Sequence, residues 1–191
     1  GMAHDLIENG KAGRLDVGHE PLAGVCGRVC PAPCMDGCNR KEYDGAVDVR
    51  GIERWIADHA PVAAREARRN DAPRRIAIVG AGPAGLAAAY TLARAGHRVA
   101  VFEGERTLGG LLRTGIPSYR LPRAELDREV EGILRLGVEV HSGEKVDRDR
   151  VAALSRDHEA VILATGLQTL PRLEVPGAQL DGVEQGLAFL A

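Results

Sequence analysis

The amino-acid sequence predicts an α/β protein in which a small helical, cysteine-bearing segment precedes a domain built on a parallel β-sheet. Three observations support this fold class. Short β-branched runs alternate with longer helical runs after Arg75, a glycine-rich loop follows the first of these runs, and all four cysteines lie within residues 26–38. We expect one domain over residues 1–62 and a second over 75–191, joined by a linker over 63–74.

The composition excludes several classes of function. The 191 residues carry 25 basic and 27 acidic side chains, a formal net charge of −2, and only 3% are aromatic. The chain therefore has neither the basic field nor the stacking surface typical of nucleic-acid binding. It has no apolar run of about 18 residues, and its start lacks the basic and apolar regions of a secretory signal. We expect a soluble, cytoplasmic protein that binds neither nucleic acid nor membranes.

Hydrophobic periodicity predicts the individual elements. In the first domain, Val49, Ile52 and Ile56 share one face of an amphipathic helix over residues 48–59. Residues 63–75 contain five arginines, which we interpret as a solvated connector rather than a binding patch. The alternation after the linker predicts strands over residues 75–79, 98–103, 138–141 and 160–164, and helices over 83–95, 123–136 and 147–156.

The glycine loop Gly80-Ala81-Gly82-Pro83-Ala84-Gly85 lies between a predicted strand and a predicted helix, the context in which this motif binds a dinucleotide. Gly80 allows the tight turn, Gly82 lets backbone amides approach a pyrophosphate, and Gly85 lets the helix pack closely on the strand. The phosphates then face the positive end of the helix. A turn that only packs helix on sheet is the alternative. We therefore predict a Rossmann-like βαβ unit.

Glu103 ends the second predicted strand, eighteen positions after Gly85. At that place a carboxylate accepts hydrogen bonds from an adenosine ribose. A carboxylate would also repel a 2′-phosphate, so NADP is disfavoured as the ligand of this loop.

Two further motifs distinguish FAD from NAD. The doublet Gly109-Gly110, a short distance after Glu103, resembles the extended fingerprint of flavoproteins with two dinucleotide domains, and NAD dehydrogenases usually lack it. The run from Val161 to Gly166 resembles the Ala-Thr-Gly strand end at which such flavoproteins leave the FAD domain. An ordinary buried strand closed by a glycine turn is the alternative for this second motif.

The segments over residues 109–122 and 126–129 resemble the small (beta) subunit of bacterial glutamate synthase and its relatives, which include the N-terminal half of dihydropyrimidine dehydrogenase. Residues 24–40 and 46–57 resemble the helical, ferredoxin-like iron–sulfur domain of that family. The resemblance implies part of an FAD-binding domain preceded by an iron–sulfur domain. The residues that we expect to bind the flavin are Gly80, Gly82, Pro83, Ala84, Gly85, Glu103, Gly110, Leu111, Val146, Thr165 and Gly166.

Three residues separate each cysteine from the next in the run Cys26, Cys30, Cys34 and Cys38. In a cytoplasmic chain this pattern indicates metal or redox chemistry before disulfides. Zinc sites prefer two close pairs, which the even spacing does not offer. Pro31 and Pro33 would break a continuous helix into loop, and loop thiolates converging on a [4Fe–4S] cluster fit best. Zinc and inert structural thiols remain alternatives.

The run differs from the family in one respect. Members of the family carry further cysteines upstream and build two clusters by mixing ligands from both sets, whereas the first 25 residues here contain none. Either the four cysteines form a single cluster, or the site is incomplete.

No residue is assigned a catalytic role, since the histidines and serines fall in no known nucleophile or metal motif. The family binds NAD(P)H through a second glycine loop, and residues 167–191 contain none, so we expect the chain to stop before that domain and to be inactive alone. The resemblance implies an electron-transfer module that passes electrons from NAD(P)H-reduced FAD through a [4Fe–4S] cluster to a partner. We expect that partner to be a larger redox subunit, like the glutamate synthase large subunit, or the missing C-terminal domain. The alternative is a non-catalytic binding or assembly module without bound cofactors.

Overall fold

A parallel four-stranded sheet organises the computed structural model, which describes residues 20–59, 67–167 and 174–190. The strands are β1 (Arg75–Val79), β2 (Arg98–Glu103), β3 (Glu139–Ser142) and β4 (Ala160–Leu163). The helices are α1 (Ala23–Val29), α2 (Pro33–Asp36), α3 (Val49–His59), α4 (Pro83–Arg94), α5 (Leu111–Thr114), α6 (Arg123–Leu134), α7 (Arg148–Asp157) and α8 (Gly186–Leu190). None of the helices described has the length and apolar character needed to cross a membrane.

The sheet has the order β3-β2-β1-β4, and all its neighbouring strands are parallel. In the registered pairs, Ile78 lies opposite Val101 on one side and Ile162 on the other. Because parallel strands end at the same edge, the residues that follow β1, β2 and β4 meet there. This confirms the predicted α/β fold class and places the glycine loop at the carboxyl edge of the central strands.

Helices cover both faces of the sheet, because successive side chains of each strand point to opposite sides. On one face Ile78, Val99 and Val101 pack with apolar side chains of α4 and α6 in the larger core cluster. On the other face the smaller cluster contains Ala77, Val79, Ala100, Phe102 and Leu154, the last from α7. The strands therefore read as nearly continuous apolar runs.

The cysteine-bearing segment packs directly on the larger core. Leu22 and Val25, only 5% and 2% exposed, belong to the same cluster as the buried side chains of α4 and α6. Helix α1 also crosses α3 very closely, since a Cβ atom on Gly27 would lie 2.6 Å from the backbone nitrogen of Arg54. The two predicted domains thus share one hydrophobic core.

The predicted strands and helices are present, with ends that move by one or two residues. Residues 63–66 of the predicted linker lie outside the described residues. The remainder of the linker has no regular secondary structure but is held to the end of α4, where Arg68 N–H donates to Arg94 O at 2.8 Å and Asn70 Nδ2 to Ala95 O at 3.0 Å. The domain boundary itself stays a prediction.

Candidate cofactor-binding site

The glycine loop forms the turn between β1 and α4. Gly80 has φ of +103°, a conformation that favours glycine, and its N–H donates to Phe102 O at 2.8 Å across the strand ends. Pro83 and Ala84 are the first two residues of α4, where proline costs no intrahelical hydrogen bond. The turn therefore directs the amino terminus of α4 towards the carboxyl edge of the sheet.

The three loop glycines meet different surroundings. A Cβ atom on Gly85 would lie 1.9 Å from Gly80 O, and one on Gly80 would lie 2.3 Å from Ala164 O. Backbone atoms of the protein therefore exclude a side chain at both positions. Apart from its chain neighbours, a Cβ atom on Gly82 would meet no atom of the described residues within 4 Å, so this glycine faces open space. The geometry agrees with the turn expected at Gly80, the packing expected at Gly85 and the open space expected at Gly82, and the approach of a pyrophosphate stays a prediction.

The glycine doublet Gly109-Gly110 packs against the glycine loop from another segment of the chain. Gly109 N–H donates to Ala81 O at 2.8 Å, and a Cβ atom on Gly110 would lie 2.8 Å from the Cα atom of Gly82. Gly109 and Gly110 both have positive φ values, +122° and +51°. Leu111 begins α5 directly after the doublet and is half exposed. Residues 28 positions apart in the sequence thus form the two sides of one cradle.

Glu103 lies at the edge of this cradle. Its Oε2 accepts a hydrogen bond from Ala81 N–H at 2.7 Å, and its Oε1 accepts one from Glu105 N–H at 2.9 Å. A carboxylate has about four lone-pair sites, so both oxygens keep capacity for a ligand hydroxyl. The sequence places Glu103 at the strand end, but its hydrogen bond to the glycine loop has no sequence signal.

The end of β4 also reaches the loop. Ala164 N–H donates to Val79 O at 2.8 Å, and Thr165 Cα lies 3.2 Å from the Cβ position of Gly80. Gly166 follows with φ of +69°. Val146 instead packs against the smaller core cluster on the α7 face, so its expected contact with a flavin stays a prediction.

The cradle fits the pyrophosphate of a dinucleotide on three counts. It has open space at Gly82, the amide groups of a twelve-residue helix at its back, and a carboxylate at the strand end. Gly82 and Gly110 have no side chains, so their backbones line the open space of the cradle. A larger residue at either position would fill that space.

The cysteine run is only partly a loop, although its prolines predicted one throughout, and Cys30 and Cys38 lie outside the helices. Cys26 lies within α1, the N–H of Cys30 caps that helix by donating to Cys26 O at 3.0 Å, and Cys34 lies in α2. Pro33 starts α2 at a position where a helix tolerates proline, and Ala32 before it takes a left-handed conformation with φ of +56°. The prolines therefore separate two short helices rather than abolishing helix.

The thiols lie in contrasting electrostatic surroundings. Cys30 Sγ accepts a hydrogen bond from Ala32 N–H at 3.3 Å, and Cys38 Sγ accepts one from Val47 N–H at 3.5 Å. Backbone N–H groups, that of Val47 first, lower the pKa of Cys38. Burial, followed by the charge of Glu20, raises the pKa of Cys26 to about 11.

These thiols do not form a ready metal site. Within residues 20–59, 67–167 and 174–190, no three or more histidine, cysteine or acidic side chains are grouped so that they could hold a metal ion. As arranged here, the four cysteines therefore do not fit a self-contained cluster.

Two protein families match the chain. Residues 7–65 match the family described as dihydropyrimidine dehydrogenase domain II, 4Fe-4S cluster, and residues 74–190 match the family described as pyridine nucleotide-disulphide oxidoreductase. Both matches agree with the order of segments predicted from the sequence.

Curated relatives confirm the resemblance to glutamate synthase small subunits. The glutamate synthase [NADPH] small chain of Mycobacterium tuberculosis is 42% identical over 169 residues, which cover 86% of this chain and 34% of the relative. The NADP(+)-dependent formate dehydrogenase subunit beta of Moorella thermoacetica is 39% identical over 196 residues, which cover 88% of this chain and 28% of the relative. The NAD-dependent dihydropyrimidine dehydrogenase subunit PreT of Salmonella typhimurium is 36% identical, with 88% and 42% covered. This chain spans about a third of the length of these relatives.

A solved structure is similar in fold to part of the chain. FprA from Mycobacterium tuberculosis, in complex with NADPH, superposes with a TM-score of 0.54 at 27% identity, over 62% of this chain and 28% of that chain. The parallel sheet, the glycine loop at its edge and the match over residues 74–190 together show that the chain belongs to the pyridine nucleotide-disulphide oxidoreductase family.

Proposed function

We propose that this chain binds FAD at the cradle and serves as the flavin-bearing electron-transfer module of an NAD(P)H-dependent oxidoreductase. The observation that carries the proposal is the open space at Gly82, bounded by Gly110 and backed by the amino terminus of α4. An anionic pyrophosphate is stabilised there by amide groups and by the helix dipole. When bound, FAD supplies the chemistry of the module, since it exchanges electrons in pairs with nicotinamides and singly with one-electron carriers.

The protein groups bind and orient the flavin in this proposal. Glu103 accepts hydrogen bonds from the ribose while it holds Ala81 in place, and the same carboxylate disfavours the 2′-phosphate of NADP. Gly109 and Gly110 bring a second stretch of backbone against the pyrophosphate side of the loop. Thr165 and Gly166 close the carboxyl edge of the sheet beside Gly80.

A direct titration tests this part of the proposal. FAD, NAD and NADP are each titrated into the purified chain, and FAD is expected to bind most tightly. Tighter binding of NADP than of FAD would overturn it. The rival proposal from the sequence, a non-catalytic binding or assembly module, predicts that none of the three binds.

We further propose that the cysteine segment contributes ligands to a [4Fe–4S] cluster, from the set Cys26, Cys30, Cys34 and Cys38. The family match over residues 7–65 and the N–H···S contact of Cys38 support this, because that contact favours the thiolate that binds iron. The separation of the thiols in the described residues means that a complete site needs rearrangement or further ligands.

Anaerobic reconstitution with iron and sulfide tests the cluster. The parent chain is expected to gain broad visible absorption that Cys30→Ser or Cys34→Ser removes, because serine does not replace the soft sulfur ligand. Iron that stays below one cluster per chain, together with zinc bound at one per chain, would contradict the cluster proposal.

The partner is proposed to be a larger redox subunit. The names of the relatives support this, since they are those of a small chain, a subunit beta and a subunit of multi-part oxidoreductases.

A further inference from the structure

Helix α1, which carries Cys26, lacks a cap of its own. Its N-cap residue is Leu22, whose side chain forms no capping hydrogen bond. The first turn is instead capped from α6, where Glu129 Oε1 accepts a hydrogen bond from Gly24 N–H at 2.9 Å, although the two residues are 105 positions apart. Glu129 is itself buried, with 8% exposure.

The contact is closely fitted. A Cβ atom on Gly24 would lie 2.7 Å from Glu129 Oε1, so a residue with a side chain cannot occupy position 24 unless the carboxylate moves. A carboxylate is the favoured group at a helix amino terminus, because it meets unpaired N–H groups and the positive end of the helix dipole.

A second bridge holds the last turn of α1. Arg28 is 8% exposed in its side chain, and it pairs with Asp58 of α3 at 2.6 Å and with Glu125 of α6 at 3.7 Å. It also donates to Gly24 O at 3.1 Å. Charged groups of α6 therefore contact α1 at both ends.

We propose that Glu129 and Arg28 are positioning residues, through which α6 of the nucleotide-binding domain orders the cysteine helix α1. The proposal has a consequence that rests on the proposed function: these contacts fix the cysteine segment relative to the flavin cradle. Glu129 and Arg28 each contact the backbone of Gly24 in α1. They act through the backbone of α1, on which Cys26 and the capping residue Cys30 lie.

Hydrogen exchange of backbone amides on the cofactor-free chain tests the positioning role. In Glu129→Ala, protection of the amides of residues 24–29 is expected to fall about ten- to hundredfold, the size of losing a hydrogen bond to a charged group. Amides of β1 should keep their protection. Glu129→Gln, which keeps an acceptor oxygen, should restore most of it. The control is Glu131→Ala, on the exposed face of the same helix, which should change neither region.

Gly24→Ala gives an independent test, because alanine is the better helix former and would protect α1 if only helix propensity mattered. The proposal expects the opposite, a loss of protection, since the methyl group displaces the carboxylate. Parent-like exchange of residues 24–29 in both Glu129→Ala and Gly24→Ala would overturn the proposal. Equal loss of protection in β1 would overturn it as well, because Glu129 would then support the whole fold.

The consequence for the cofactors is measured separately. Because a complete site needs rearrangement of the thiols, iron uptake by Glu129→Ala under anaerobic reconstitution is expected to change at least twofold, while its Kd for FAD stays within about twofold of the parent. If the parent binds neither cofactor, the proposed function fails, but the exchange data still decide the role of Glu129. Parent-like iron uptake in a variant with an unprotected α1 would contradict the link between α1 and the cysteine site.

Discussion

Replacing Gly82 by valine separates binding from folding more cleanly than any other change in the cradle. Gly82 has φ of −73° and ψ of −174°, an extended conformation open to any residue, and beyond its chain neighbours no atom of the described part of the chain lies within 4 Å of its Cβ position. The Cβ atom of the new residue therefore meets no clash there. Its expected cost is the loss of glycine at the N-cap of α4, about 0.5–1.5 kcal/mol, which lowers Tm by about 2–5 °C.

Binding should suffer far more. The branched side chain of valine enters the space proposed for the pyrophosphate and moves it away from the amides of α4. Losing one such charge-assisted hydrogen bond costs about 1.5–3 kcal/mol, so the Kd for FAD should rise about 10- to 150-fold. Calorimetric titration with FAD gives the Kd, and thermal denaturation followed by circular dichroism gives the stability.

Gly85→Ala provides the matched contrast. Its methyl group would lie 1.9 Å from Gly80 O, so this variant should lose stability strongly, whether or not a ligand is present. A parent-like Kd for FAD in Gly82→Val would refute the placement of the pyrophosphate. A loss of Tm as large as that of Gly85→Ala would refute the claim that the space at Gly82 serves a ligand rather than the fold.

Two other predictions test the supports of the site and the thiol chemistry. Arg123→Ala removes donors to Leu112 O at 3.2 Å and Ile116 O at 2.9 Å, which hold the segment after the glycine doublet. The free energy of unfolding should therefore fall by about 1–3 kcal/mol and FAD affinity should fall, as measured by thermal melting and titration with Arg123→Lys for comparison. Unchanged affinity in a folded alanine variant would contradict this. The pKa of Cys26 is raised from 9.0 to about 11, so in the cofactor-free chain at pH 8 this thiol should react with iodoacetamide about a hundredfold more slowly than an ordinary thiol. The pKa of Cys38 is lowered, so Cys38 should react at lower pH. Peptide mass spectrometry measures both reactions. Because the pKa of Cys26 is higher in the folded state, its neutral thiol adds stability below about pH 9, and this contribution is lost as the pH rises towards 11. A free energy of unfolding that instead increased over this range would contradict the raised pKa of Cys26.

The fold was predictable because its signals are local. Each strand is a short apolar run, and the strand, glycine loop and helix follow one another without a gap, so β1 and β2 have exactly the predicted limits. The helices α1, α2, α5 and α8 were not predicted, because none exceeds seven residues and such short segments show no helical period.

The cradle was only partly predictable. The residue types of Gly82, Gly110 and Glu103 pointed to a dinucleotide, since only glycine allows the close approach and only an acid suits the ribose. The contacts that assemble them are between distant residues and have no sequence signature. Examples are the hydrogen bond from Ala81 N–H to Glu103 and the approach of Gly110 to Gly82.

The cysteine segment shows why a boundary inferred from composition need not separate two stable units. Leu22 and Val25 are buried in the cluster that contains Leu126 and Ile133, both fully buried side chains of α6. Burying the side chains of Leu22 and Val25 contributes at most about 3–6 kcal/mol. This is a large part of the roughly 5–15 kcal/mol that stabilises a typical domain. The cap that α6 supplies through Glu129 adds to this coupling. Opening the contact between α1 and α6 therefore costs a sizeable share of the free energy of unfolding. The cysteine helix is thus held against the nucleotide-binding domain by these contacts as well as by the polypeptide chain that joins them.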